Sequence, residues 1–372
     1  MSGSDEEGMF EEHFANEEKK SSKQHRKLVK AKDRSKYKKT DQKMLQKQES
    51  PKMREGLQKG RVLSIMSQGM IVQDESNLYN CTLKGILKKD RGSQKNLVAV
   101  GDFVLFEKTN ENEGVIIHVE ERHSILSRAD NLLRRKEQLI AANIDQVLIT
   151  VSLLHPPLKT FIVDRYIIAT EKGNMEPIIV VNKIDLLDDP SFSEHLREME
   201  KELYLQFVEA YKKVNIKVIA VSAETGYGLD ELKQIMRDRA SVFSGQSGVG
   251  KSSLINAMIG SNLRIGDVVE KTRKGSHTTT MAQLLPLDFG GFCIDTPGIK
   301  SFGLWNLKKD EIEAYFPEIH EIGGGCQFPD CSHTHEKNCA VTKSVDEKII
   351  SPLRFASYLY LLESLGQVHR PR

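Results

Sequence analysis

Gly245, Gln246, Ser247, Gly248, Val249, Gly250, Lys251 and Ser252 spell G-x4-G-K-S between a strand-type run, SVFS, and a helix-type run, KSSLINAMIG. That setting is what a phosphate-binding loop requires. Glycines let the backbone curl until its N–H groups face phosphate oxygens, Lys251 brings positive charge to the β and γ phosphates, and Ser252 can ligate Mg²⁺ at the helix N-terminus. Chance produces the pattern in about one chain of this length in a hundred. Asn182, Lys183, Ile184 and Asp185 follow the apolar run PIIVV. A carboxylate there accepts two parallel hydrogen bonds from the N1–H and exocyclic amine of guanine, Asn182 adds polar contacts, and the Lys183 stem packs on the base. The expected ligand is therefore GTP or GDP, not ATP. Ser222 and Ala223 follow the next apolar run and offer backbone N–H groups to the guanine carbonyl.

Downstream, Asp295, Thr296, Pro297 and Gly298 form D-x-x-G, read as a Mg²⁺-side aspartate and a γ-phosphate-sensing glycine. Between this and the phosphate loop lies KGSHTTT, where Thr279 is expected to complete the Mg²⁺ shell. Ile299 occupies the place where many GTPases carry a water-orienting glutamine, so intrinsic hydrolysis should be slow. His277 is the nearest polar residue able to orient water or accept its proton. The order is unusual: GTPases ordinarily run phosphate loop, switch threonine, D-x-x-G, N-K-x-D, S-A, whereas here the two base-reading motifs come first. The domain reads as circularly permuted, a change tolerated where domain termini lie close together.

Cys326-x4-Cys331-x-His333-x5-Cys339 forms a separate constellation. Three thiolates and an imidazole fill a tetrahedral Zn²⁺ with no open position, which predicts a structural and not a catalytic metal. His320 and His335 fit the spacing less regularly and are expected on the surface.

These residues need elements to hold them. A length of 372 residues fits two or three domains at about 150 residues each. Residues 1–55 carry an acidic stretch and then a lysine-rich one with few apolar residues, which predicts a disordered tail whose basic half could grip phosphates. Residues 56–128 read as short strands separated by turns, the pattern of a small OB-fold barrel that binds RNA. Residues 129–303 alternate apolar strands with amphipathic helices, as in a parallel sheet covered on both faces. Residues 304–372 hold the cysteine cluster and a helix that Pro352 opens. Lys+Arg 54 against Asp+Glu 52 leaves a net charge of only +2, so a nucleic-acid surface must come from local asymmetry. Five cysteines, an odd number with three crowded together, exclude a secreted disulfide scaffold. An acidic N-terminus and the lack of any apolar run near 18 residues lead us to expect a soluble, cytoplasmic protein with no membrane partner.

The motifs AANIDQVLIT, NKIDLL, VSAETGYGLDEL, GQSGVGKSSLIN, GSHTTT, DTPGIKSFGL, YFPEI and CQFPDCSHTHEKNCAV, in that order, resemble the small-ribosomal-subunit-dependent GTPase A family, RsgA or YjeQ. The resemblance spans about residues 60–365. It implies an OB-fold, a permuted GTPase domain and a zinc knuckle, acting in late small-subunit maturation. It further implies rRNA binding, stimulation by the subunit, and release coupled to hydrolysis, possible displacement of other assembly factors being open. Carried over by residue, it assigns Asn182 to Asp185 and Gly245 to Ser253 to nucleotide, and Cys326, Cys331, His333 and Cys339 to one zinc ion. The chain is expected to act as a monomer. The alternative is an RNA-binding scaffold that holds GTP without turnover. A permuted GTPase of large-subunit assembly is disfavoured by the barrel and the cysteine cluster.

Overall fold

A computed structural model describes residues 56–75, 77–84, 97–129, 137–259, 282–295 and 307–367. They fall into two units, divided between Asn306 and Leu307. The expected charged tail, His277, Thr279, Gly298 and Ile299 lie outside the described residues.

The first unit begins with β1 (Gln58–Met66), β2 (Gly69–Gln73), β3 (Leu78–Leu83), β4 (Phe103–Asn110) and β5 (Glu113–Val119). Period-two patterning turns Met70, Val72, Tyr79 and Cys81 inward along β2 and β3. Pairings β1–β2, β2–β3, β4–β5 and β1–β4 are antiparallel and β3–β5 is parallel, which closes the circuit 1-2-3-5-4-1 of an OB-fold-like barrel. Val62, Val104, Phe106 and Ile116 complete its core. Gly114 makes room for it, because a Cβ there would stand 2.8 Å from the Phe106 ring and 3.0 Å from Cys81 Sγ.

One expectation needs correction. The end of the 56–128 span read as barrel forms β6 (Ile125–Ala129), which pairs instead with β7 (Glu137–Ala142) in a separate two-stranded ribbon. Two causes act together. The barrel closes without it, and Arg122 turns the chain away by gripping the buried Asp102 carboxylate with Nε at 2.7 Å and Nη2 at 2.8 Å. The Ile125 N–H then donates to Gly173 O at 3.0 Å, docking the ribbon on the neighbouring α/β layer.

That layer runs β8 (Gln146–Val151), α1 (Thr160–Lys172), β9 (Glu176–Val181), α2 (Glu194–Lys212), β10 (Lys217–Ala220), α3 (Leu229–Met236), β11 (Ala240–Ser244), α4 (Lys251–Ile259), β12 (Gln283–Pro286) and β13 (Phe292–Asp295). Strand β8 is buried along its whole length, as a strand covered on both faces must be. Ser193 caps α2 by accepting from the Leu196 N–H at 3.3 Å. The sheet order is β10-β9-β8-β11-β13-β12, parallel except for β12. Strand β11, which feeds the phosphate loop, follows β8 to β10 in sequence yet lies between β8 and β13. This is the circular permutation seen in space. Ser64 of β1 pairs with Gln283 of β12, so barrel and α/β layer share one eleven-stranded sheet.

The second unit has a 3-10 turn at Lys309–Tyr315, then α5 (Pro317–Gly323), α6 (Ala340–Asp346) and α7 (Pro352–Gln367). Its core holds Ile312, Phe316, Ile319, Val341, Tyr358 and Leu361. Buried Arg354 donates to Glu318 through Nε at 2.8 Å and Nη2 at 3.3 Å, with its guanidinium 4.3 Å above the Phe316 ring. No helix among the described residues is long and apolar enough to cross a membrane.

Candidate functional site

Chain leaving β11 at Ser244 enters the phosphate loop through Gly245 at φ +143°, where a Cβ would sit 2.1 Å from Thr150 O. Gly250, at φ +89°, would bring a Cβ within 2.3 Å of Asn182 Nδ2. Only glycine meets both the torsion and the approach. Lys251 Nζ donates to Gly245 O at 2.8 Å and Gln246 O at 2.7 Å, which folds its ammonium back over the loop. Gln246 Nε2 reaches Pro157 O at 3.3 Å. Ser247 is exposed, Val249 is buried, and Ser252 and Ser253 stand exposed in the first turn of α4. Backbone N–H groups free at a helix start, a flexible cationic tip and two hydroxyls are the chemistry a polyphosphate needs.

The base-reading residues lie alongside. Asn182 Nδ2 donates to Val249 O at 2.8 Å, and its Oδ1 accepts the Ala223 N–H at 3.2 Å. One amide thus ties three motifs, distant in sequence, into one pocket wall. Lys183 adopts the left-handed region at φ 62°, which a side chain other than glycine occupies at a cost, and its Nζ donates to Gly248 O at 2.7 Å and His155 O at 2.9 Å. Ile184 opens a 3-10 turn, Ile184–Asp188. Within that turn Asp185 Oδ1 is buried and has no hydrogen-bond partner among the described residues. Such an acceptor costs roughly 1–3 kcal/mol when left empty, and two guanine N–H donors are what would satisfy it. The two N–H groups expected to meet the guanine carbonyl are instead engaged within the protein, Ser222 N–H donating to Tyr227 O at 2.9 Å and Ala223 N–H to Asn182 Oδ1, because both close the turn that Ser222 Oγ also shapes by accepting the Thr225 N–H at 3.1 Å. Asp295 ends β13, at the same C-terminal edge of the parallel strands where open α/β sheets take their ligands.

In the second unit, Cys326, Cys331, His333 and Cys339 bring four ligand atoms within 4.8 Å of one another. Cys326 and Cys339 sulfurs are 3.7 Å apart, and His333 Nδ1 lies 3.5 and 3.4 Å from them. Tetrahedral zinc with bonds of about 2.3 Å to sulfur and about 2.05 Å to nitrogen has edges of about 3.8 and 3.6 Å. The cluster is compatible with that site. Burial pushes the Cys331 thiol up to about 12, whereas at Cys339 burial is outweighed by hydrogen bonds from Thr342 and His333, which bring it to about 7. A bound cation favours the thiolate at both.

Glu313, absent from the residues singled out in the sequence, faces this cluster. Its Oε2 lies 3.5 Å from Nε2 of fully buried His333. At that distance the carboxylate favours a proton on Nε2, which would leave Nδ1 to a metal ion. No local spacing announces it, because the 3-10 turn that carries it precedes the cluster. His320 Nδ1 lies 3.5 Å from the other Glu313 oxygen, outside the ligand set, and His335 is exposed. Glu336 clamps the loop by accepting from Ser332 N and Oγ and from Thr334 N at 2.7–3.0 Å. Burial would raise its carboxyl, but the bonds from Ser332 and from the Glu336 and His335 backbone bring it from 4.5 to about 2. The clamp therefore stabilises fully above pH 4.5 and is lost as pH falls toward 2.

Two family models match in tandem: RsgA N-terminal domain over residues 59–116 and RsgA GTPase over residues 119–305. The chain is 42% identical to a small ribosomal subunit biogenesis GTPase RsgA from Chlorobaculum parvum, across 77% of this chain and 90% of that protein. It is 35% identical to the protein of the same name from Flavobacterium psychrophilum, across 80% and 89%. Among solved structures, YjeQ from Thermotoga maritima superposes with TM-score 0.67 at 31% identity, covering 85% of this chain and all of that one. YloQ, described as a circularly permuted GTPase, gives 0.65 at 26% identity over 87% and 100%.

Proposed function

Because the chain belongs to the RsgA GTPase family, we propose that it hydrolyses GTP to GDP and phosphate on the small ribosomal subunit late in that subunit's maturation, and that hydrolysis releases it into the cytoplasm. The observation that carries the reading is the buried Asp185 Oδ1, without a hydrogen-bond partner among the described residues, beside a phosphate loop tied to its motif through Asn182. Asp185 selects guanine, Gly245 to Ser253 wrap the phosphates, and Lys251 swings from the loop carbonyls to the β and γ phosphates. Ser252, Thr279 and Asp295 would hold Mg²⁺, whose charge would offset the negative charge that develops on the transferring phosphate. Gly298 senses the γ-phosphate and His277 orients the attacking water. Cys326, Cys331, His333 and Cys339 would hold one structural zinc ion. The domains divide as 56–128, 129–303 and 304–372, except that the Ile125–Ala129 strand belongs with the ribbon that follows the barrel, and the OB-fold-like barrel meets rRNA.

Asp185→Asn exchanges a double acceptor for a mixed donor and acceptor. It should weaken GTP by about 3 kcal/mol, or about 150-fold, and create binding of xanthosine triphosphate, whose 2-oxo group accepts from the new amide. Competition titration against GTP, ATP and xanthosine triphosphate checks this. Equal affinity of the unaltered protein for ATP and GTP would remove the guanine assignment.

A further inference from the structure

Arg61 lies in β1, where the barrel meets the α/β layer. Its guanidinium stands 4.9 Å from the centroid of Phe103, its cross-strand neighbour on β4, and 4.8 Å from the centroid of Phe292 on β13. Nη2 donates to Asn143 O at 2.5 Å. Asn143 is itself fixed between the layers, donating to Gly101 O at 3.2 Å and accepting the His123 N–H at 3.0 Å. Arg61 Nε is buried and has no hydrogen-bond partner among the described residues. Burial disfavours its charge, which the Asp145 carboxylate offsets only in part, and among the described residues its hydrogen-bond partner is a carbonyl, so an apolar side chain would fill the gap without desolvating a charge. What the planar group supplies instead is direction: two ring faces and one carbonyl fix it at once on β1, β4, β13 and the approach to β8.

Both α/β strands that this junction grips border the γ-phosphate machinery in sequence. Strand β12, paired to β1 through Ser64 and Gln283, begins shortly after Thr279. Strand β13 runs from Phe292 to Asp295. A rotation of the barrel must therefore shift Phe292 or break the stack. We propose that Arg61 is a positioning residue that couples the barrel to β12 and β13, so that rRNA engagement of the barrel changes GTP turnover. The inference rests on the functional reading above.

The test uses full-length protein, GTP and purified small subunits, with Arg61→Met, Arg61→Lys and Phe292→Leu. Each variant should keep subunit-free turnover and GTP affinity within about twofold of the unaltered protein. Subunit-stimulated kcat should fall about tenfold or more, within the range of ordinary coupling energies. The ratio of subunit affinities with a non-hydrolysable GTP analogue and with GDP should also shrink, because the same stack would carry the binding coupling between nucleotide and subunit. Combining Arg61→Met with Phe292→Leu should cost little more than either alone, because both break one stack. Stimulation and affinity ratio equal to those of the unaltered protein would overturn the inference. So would stimulated and subunit-free turnover falling in proportion, which marks a role in folding only. If the unaltered protein is not stimulated at all, the functional reading fails first and takes the coupling with it.

Discussion

Cys331→Ala is expected to empty the C-terminal metal site and unfold residues 307–367 locally while the phosphate loop stays formed. Cys331 is buried, and its removal leaves three ligands around a cation that needs four. Structural zinc contributes about 10–16 kcal/mol of folding free energy in small zinc modules, as much as or more than the roughly 5–15 kcal/mol that holds a typical domain. The core of this unit is small, and Arg354, Glu318 and Phe316 cannot close it alone. Elemental analysis should find one zinc per unaltered chain purified without chelator and almost none in the variant. Hydrogen exchange should show lost protection in α6 and α7, with protection in β8 and β11 unchanged and GTP affinity within about twofold. Unaltered protein without zinc, or a variant that keeps its zinc, would contradict the assignment.

His277→Ala should lower subunit-stimulated kcat by about a hundredfold or more and leave GTP affinity nearly unchanged. The motive is Ile299, which stands where an amide would orient water, and His277 in KGSHTTT is the residue the sequence offers to orient water or accept its proton. A positioned general base contributes about 10²–10⁴-fold, and a group that acts in the transition state changes kcat without changing ground-state binding. Single-turnover phosphate release and nucleotide titration separate the two. Normal turnover in the variant, or loss of binding and rate in proportion, would assign water positioning to the backbone or to rRNA.

The parts that were legible in the sequence are those whose chemistry forces residue type at fixed spacing. Gly245 and Gly250 could be read because only glycine meets their torsions and close approaches, and Cys326 to Cys339 because a tetrahedron needs four donors in a short loop. The barrel showed itself through alternation along β2 and β3. What the sequence hid depends on distant pairings. Glu313 reaches His333 only once the 3-10 turn packs beside the cluster. Arg61 looks like any basic residue on a strand until β13 brings Phe292 over it. Ile125–Ala129 carries strand residues like its barrel neighbours, and only closure of β1 on β4 shows that it must pair elsewhere.

The central claim is turnover of GTP on the small subunit, and the direct measurement is phosphate release from saturating GTP with and without purified small subunits. Slow release alone and release at least about a hundredfold faster with subunits is the predicted result, since ordering one catalytic group is worth that much. Tight GTP binding with the same slow release in both conditions would contradict it and leave an RNA-binding scaffold that holds its nucleotide.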